Sequence, residues 1–298
     1  MLPQEPRAPS PDQQALTATW LEPHREVLMR LWQCVRTEVD RILGAKQPIK
    51  GGKPYPLGQC LEISQGALQL MRAWLKQDQA PSLPRDAALG FEALCRFLTA
   101  GGSLRSVWGV LRDRYFQNAF QLGSWYLDVA NDSVDPAKPQ VEILPFSASG
   151  LVAVADFHQF ARIAESYWGG RIYPNHLFPS LAPDFPLLSE VDGIGLRLQV
   201  GNDYMIALNR REGFRPARAV LARGAVPEAV RHRIGAVFAE GELGFHPTQG
   251  QALALNACAT YREQGRQAST EHRDAAVRQY LAVNRRLAEV DKAKAPLQ

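Results

Sequence analysis

The hydrophobic period of this chain changes abruptly near residue 115. Before it, apolar residues recur at helical spacing: Leu28, Leu31, Trp32, Val35, Val39 and Ile42, then Ile63, Ala67, Leu70, Met71 and Trp74. At Phe116 the period falls to two, and Phe116, Asn118, Phe120 and Leu122 alternate with Gln117, Ala119 and Gln121. A repeat near 3.6 keeps one face of a helix apolar, whereas a repeat of two does so only for a strand. Gly123-Ser124 then supplies a two-residue hairpin turn with glycine first. Beyond it Trp125, Leu127 and Val129 take one face, and Tyr126, Asp128 and Ala130 the other. Pairing about this turn sets Ala119 opposite Asp128 and Gln117 opposite Ala130. Gln117 and Asp128 thus become diagonal neighbours on one face. A third strand is expected over 141–145. The pattern predicts an α+β protein, mostly helical, with a small antiparallel sheet.

The rest of the chain reads mainly as helix. A stripe of Phe91, Leu94, Cys95 and Leu98 ends at Gly101-Gly102, and Leu104, Val107, Trp108 and Leu111 suggest a further short helix. Helices are expected over 151–167, 227–240, 251–261 and 270–290. A second hairpin, 195–200 with 203–208, is expected about Gly201-Asn202. The proline-rich residues 1–14 read as a disordered tail. The loop 168–186 reads as a boundary between an α+β core over 15–170 and a hairpin plus helical region over 190–298. One continuous domain with helical additions is the alternative.

Composition removes several function classes. Of 298 residues, 46% are hydrophobic and 21% charged, as in a soluble globular protein, and the net charge is only +4. No lysine or arginine block is present, which argues against nucleic acid as a partner. No apolar run of 18 residues or secretory h-region is found, so no membrane partner is expected. Cys34, Cys60, Cys95 and Cys258 lie far apart, without a C-x-x-C pair. That argues against paired-cysteine zinc and for reduced thiols in a cytoplasmic setting. Neither a P-loop nor a G-x-G-x-x-G stretch occurs, and no cofactor is expected. The oligomeric state stays open.

The chemistry centres on Tyr55-Pro-Leu-Gly-Gln-Cys60, a Pro/Gly turn that runs into a helix with Cys60 in its first turn. The positive end of a helix dipole favours a thiolate. The same position suits an inert core cysteine, because Cys60 lies on the apolar face. Gly58-Gln59-Cys60, together with Gly123-Ser-Trp-Tyr-Leu-Asp128, resembles the transglutaminase-like branch of the papain-type cysteine superfamily over roughly residues 55–134. The resemblance implies a papain/transglutaminase-like core and acyl transfer or hydrolysis on an amide or ester. It implies Cys60 as nucleophile and Asp128 as the residue that orients a histidine. Gln59 would help to bind the oxyanion through its side chain or the nearby backbone N–H groups. The histidine expected on the first hairpin strand is replaced by Gln117, or by Asn118 if the register slips by one. No histidine occurs between His24 and His158. A base would have to come from elsewhere, with His158 or His176 as candidates. Otherwise the chain is a catalytically inactive relative that binds a protein or peptide. A third reading is a metal-dependent enzyme with ligands from Asp128, Asp132, His158, Glu165 and His176.

Overall fold

A computed structural model describes residues 2–77 and 82–292. It is 52% helix and 15% strand, a curled antiparallel sheet with helices, and therefore mixed α+β. The chain divides into two compact units, Gln4–Ala153 and Val154–Gln298, the latter with Met1–Pro3. The division falls at 153/154, and the loop expected to be the boundary lies inside the C-terminal unit.

In the N-terminal unit, α1 (Pro11–Trp20) starts with Pro11 in its first turn, and the Ser10 hydroxyl accepts from the Gln13 N–H. Residues 4–10 are not a free tail. The Gln4 carbonyl accepts from the Trp108 N–H at 2.8 Å, the Glu5 carbonyl from Arg105 at 2.7 Å and the Arg7 carbonyl from Gln121 at 3.0 Å. Proline deprived this segment of helical signal but left its carbonyls able to pair.

Next come α2 (Arg25–Lys46), the small ribbon β1 (Ile49–Lys50) and β2 (Lys53–Pro54), then α3 (Cys60–Leu75) and α4 (Arg85–Thr99). The α2 stripe of Leu28, Leu31, Trp32, Val35 and Val39 is buried against Ile63, Ala67 and Met71 of α3 and Leu94 and Phe97 of α4. Gly90 lets α4 cross α2 closely: a Cβ there would stand 2.3 Å from the Val27 carbonyl oxygen.

The sheet follows as β3 (Leu104–Leu111), β4 (Tyr115–Leu122), β5 (Trp125–Asp128), β6 (Glu142–Pro145) and β7 (Leu151–Val152), antiparallel in the order β6-β5-β4-β3-β7. Leu122 pairs with Trp125 and Phe120 with Leu127, the register expected of a turn at Gly123-Ser124. Phe120, Leu122 and Leu127 face the helical core, and the Phe120 ring stacks on Trp32 at 5.8 Å. Ala119 and Tyr126 face a second cluster with Val107, Leu111, Phe146 and Leu151. The helix expected over 104–111 is instead strand β3. Its residues from Val107 to Leu111 are all buried, so the alternation that marks a half-exposed strand is missing.

The C-terminal unit contains α5 (Phe157–Trp168), β8 (Arg171–Pro174), β9 (Leu187–Val191) and β10 (Gly195–Gln199). The three strands form one antiparallel sheet in the order β10-β9-β8. Then follow α6 (Asp203–Arg211), α7 (Arg215–Leu221), α8 (Glu228–Gly235), α9 (Gly250–Glu263) and α10 (Thr270–Lys292). The second hairpin is formed differently from the expectation, since β10 pairs with β9. Residues 203–208 begin α6, because the Asn202 side chain accepts from the Met205 N–H and acts as a helix cap rather than a turn residue. The helix expected from 151 starts at Phe157, after β7.

One buried ion pair ties α2 to the end of β5. The Arg36 guanidinium, fully buried, donates to both Asp132 oxygens at 2.6 and 3.0 Å, to the Val129 carbonyl at 2.9 Å and to Asp40 at 2.6 Å. Burial alone would lower its pKa, but the hydrogen bonds and charges of Asp132 and Asp40 reverse this and hold it above the ordinary arginine value. Removing one partner strands the other, so Arg36→Met and Asp132→Asn should each cost about 3–5 kcal/mol in denaturant unfolding. A paired apolar replacement at both positions should recover most of that loss.

Candidate functional site

The chain reaches Cys60 under restraint. The Gly58 N–H donates to the Ser133 carbonyl at 2.9 Å, which joins the start of α3 to the segment after β5. Lys50 donates to the Gly58 carbonyl at 3.1 Å and pairs with Glu62 at 2.6 Å. The buried Gln59 side chain donates to the Gln47 carbonyl at 3.0 Å, while its Oε1 is buried without a partner. That side chain anchors the loop to the C-terminal end of α2, which is a structural task distinct from the oxyanion role the resemblance implies. Ser64 donates to the Asn118 carbonyl at 2.9 Å and fixes α3 on β4.

Cys60 is the first residue of α3 and packs, partly buried, against the helical core. Its sulfur meets an amide, with Asn118 Nδ2 at 3.4 Å. Burial raises the thiol pKa and outweighs the hydrogen bonds from Asn118; the Asp128 charge raises it further and Lys50 lowers it. The helix terminus was expected to favour the thiolate; the net shift is upward instead, with desolvation its largest cause.

Asp128 is fully buried and fully engaged. One oxygen accepts from Gln117 Nε2 at 2.7 Å and the Tyr126 hydroxyl at 2.8 Å, and the other from the Ala130 N–H at 2.8 Å. Desolvation pushes its pKa up to about 6, against those three hydrogen bonds and with added repulsion from Glu142. Gln117 also donates to the Ala130 carbonyl at 3.3 Å, and its Oε1 is buried without a partner.

Gln117 and Asp128 therefore meet, as the hairpin register predicts. Cys60 is not part of that contact. Successive residues of a strand point to opposite faces. Asn118 reaches the thiol while Gln117 reaches the carboxylate, so β4 stands between them. The structure thus brings together two pairs, Cys60 with Asn118 and Gln117 with Asp128, rather than one catalytic row.

No histidine base lies at hand within this unit. Its one histidine, His24, precedes α2. The 22-residue α2 separates His24 from Gln47, the residue that holds Gln59. At 1.5 Å per residue that is roughly 33 Å. His158 and His176 belong to the C-terminal unit. His176 is buried with Nε2 at 2.8 Å from the Leu221 carbonyl, and burial lowers its pKa despite that bond. Of the proposed metal ligands, Asp132 is committed to Arg36, and Glu165 accepts from the Ile172 N–H. Among the described residues no group of three His, Cys, Asp or Glu side chains is placed to hold a metal ion. No described helix is long and apolar enough to cross a membrane.

Tyr126 and Arg36 escaped the reading of the sequence as site residues, and Asn118 entered it only as the place of the missing histidine under a slipped register. Arg36 alone left a clear signal, a charge beside Val35 within an otherwise apolar stripe. Comparison with family models, characterised proteins and solved structures finds no match to this chain.

The raised Asp128 pKa has a definite sign in the stability of the protein. Between about pH 4 and 6 the unfolded carboxyl loses its proton while the folded one keeps it, so stability falls as pH rises through this window. The loss contributed by this group is about 3 kcal/mol and is complete above pH 6 or so. Asp128→Asn should remove that step, as measured by urea unfolding from pH 3.5 to 7.

Proposed function

We propose that the chain is a catalytically silent transglutaminase-like module that binds a protein or peptide without processing it. The observation that carries this reading is the amide of Asn118 at the Cys60 sulfur, where thiol chemistry needs a base. Acyl transfer through Cys60 requires a group to remove the thiol proton and a carboxylate to orient that group. An amide has no such basicity, and Asp128 is spent on Gln117, Tyr126 and Ala130 across β4. The Gln59 side chain holds the loop and is not free to meet an oxyanion. What the resemblance leaves in place is a helix terminus set against a strand hairpin, a rigid frame for recognition.

Alkylation of Cys60 against pH, read by mass spectrometry, tests the silent site. In the native protein Cys60 should react more slowly than a free thiol at pH 7. Asn118→His places an imidazole beside the sulfur and should raise that rate tenfold or more. Gln117→His, on the other face of β4, should leave it unchanged. Rapid native alkylation that titrates below the free-thiol value of about 8.5 would refute the reading. Activation by Gln117→His would refute the separation of thiol and carboxylate.

A further inference from the structure

A groove in the C-terminal unit has a polarity that selects a ligand. The α6 residues Asp203, Ile206, Ala207 and Arg210 line one wall, and the α10 residues Arg273, Ala276 and Val277 the other. Asp184 and Phe185 complete a cavity of about 630 Å³, within the range of small-ligand sites. The middle is apolar. Phe185 is held flat by stacking on Tyr280 at 4.2 Å, and Val277 is 41% exposed, high for a valine.

The two ends differ in charge. At one end Arg210 pairs with Asp184 at 3.1 Å and donates to the Arg266 and Ser269 carbonyls just before α10. His272, in the first turn of α10, contacts the other Asp184 oxygen at 2.8 Å. Asp184 is thereby committed, and its charge is balanced by Arg210. Arg273 stands exposed beside this cluster, its N–H on the same Ser269 carbonyl that Arg210 reaches; among the described residues its guanidinium engages only its sequence neighbour Asp274, at 2.9 Å. Such an exposed pair is weak and easily exchanged. At the other end Asp203 opens α6 as an exposed carboxylate without a side-chain partner among the described residues.

Asp203 and Arg210 are seven residues apart on one helix, about 10 Å along its axis. An extended peptide advances about 3.3–3.6 Å per residue, so three residues cover that span. We infer that the groove between α6 and α10 binds a short apolar peptide of about three residues with free termini, its ammonium group at Asp203 and its carboxylate at Arg273. The side chains of such a peptide would cover Ile206, Ala207, Ala276 and Val277. This inference rests on the C-terminal unit alone, and its outcome is independent of the Cys60 site.

Calorimetric titration of the full chain with the tripeptide Ala-Leu-Ala tests it, against the same peptide N-acetylated or C-amidated. The free-ended peptide should bind saturably with a dissociation constant below about 1 mM. Each cap should weaken binding about fivefold. Asp203→Asn should weaken the free peptide about as much as acetylation does, yet leave the acetylated peptide unaffected; Arg273→Gln should behave likewise toward the amidated one. Both residues are exposed, and an unchanged unfolding midpoint confirms that the variants fold. No saturable binding, or binding indifferent to both caps, would overturn the inference. So would losses in either variant that are the same for capped and free peptides.

Discussion

The Arg36 guanidinium is the constraint on which the N-terminal unit depends. It lies fully buried within the apolar stripe of α2, where an unpaired cation would be intolerable. Its donors are met by Asp132, the Val129 carbonyl and Asp40. Those acceptors belong to α2 itself and to the segment that leaves β5, so satisfying one charge fixes the sheet against the helix. Apolar packing of Trp32 on Phe120 supplies attraction but little direction; the ion pair supplies direction. The segment it fixes also carries Ser133, whose carbonyl holds Gly58 and hence the start of α3.

That framework decides what the Cys60 neighbourhood can do. With α3 held by Gly58 and Ser64, the sulfur is set against Asn118 on one face of β4. Asp128 on the other face is enclosed by Tyr126 and Gln117. A helix terminus lowers a thiol pKa when the sulfur is solvated or faces a cation. Here the cost of desolvating an anion is larger than what the Asn118 hydrogen bonds and the Lys50 charge return. The carboxylate shows the same balance, its pKa raised despite three hydrogen bonds.

The hairpin was legible although its strands are largely buried on both faces, because Gln117, Gln121 and Asp128 mark one face as polar and so keep a period of two. The register followed from Gly123-Ser124, and with it the Gln117–Asp128 contact. Strand β3 was not legible: buried on both sides, its Leu104, Val107, Trp108 and Leu111 imitate a helical stripe. Gly201-Asn202 suits a turn and a helix cap equally, and only the Asn202–Met205 hydrogen bond decides between them. The pairing of Cys60 with Asn118 depends on how α3 lies on β4, a long-range fact that local pattern does not encode. Arg36 was visible as an exception to its stripe, but its partner Asp132, nearly a hundred residues away, was not.

The central claim is that the Cys60 thiol is unactivated. Thiolate ultraviolet absorbance, taken as the difference between the native protein and Cys60→Ala across a pH titration, measures this at equilibrium and without a reagent. A Cys60 midpoint above the free-thiol value of about 8.5 is predicted. A midpoint well below it would mean that a base or cation activates the sulfur, and would contradict the account.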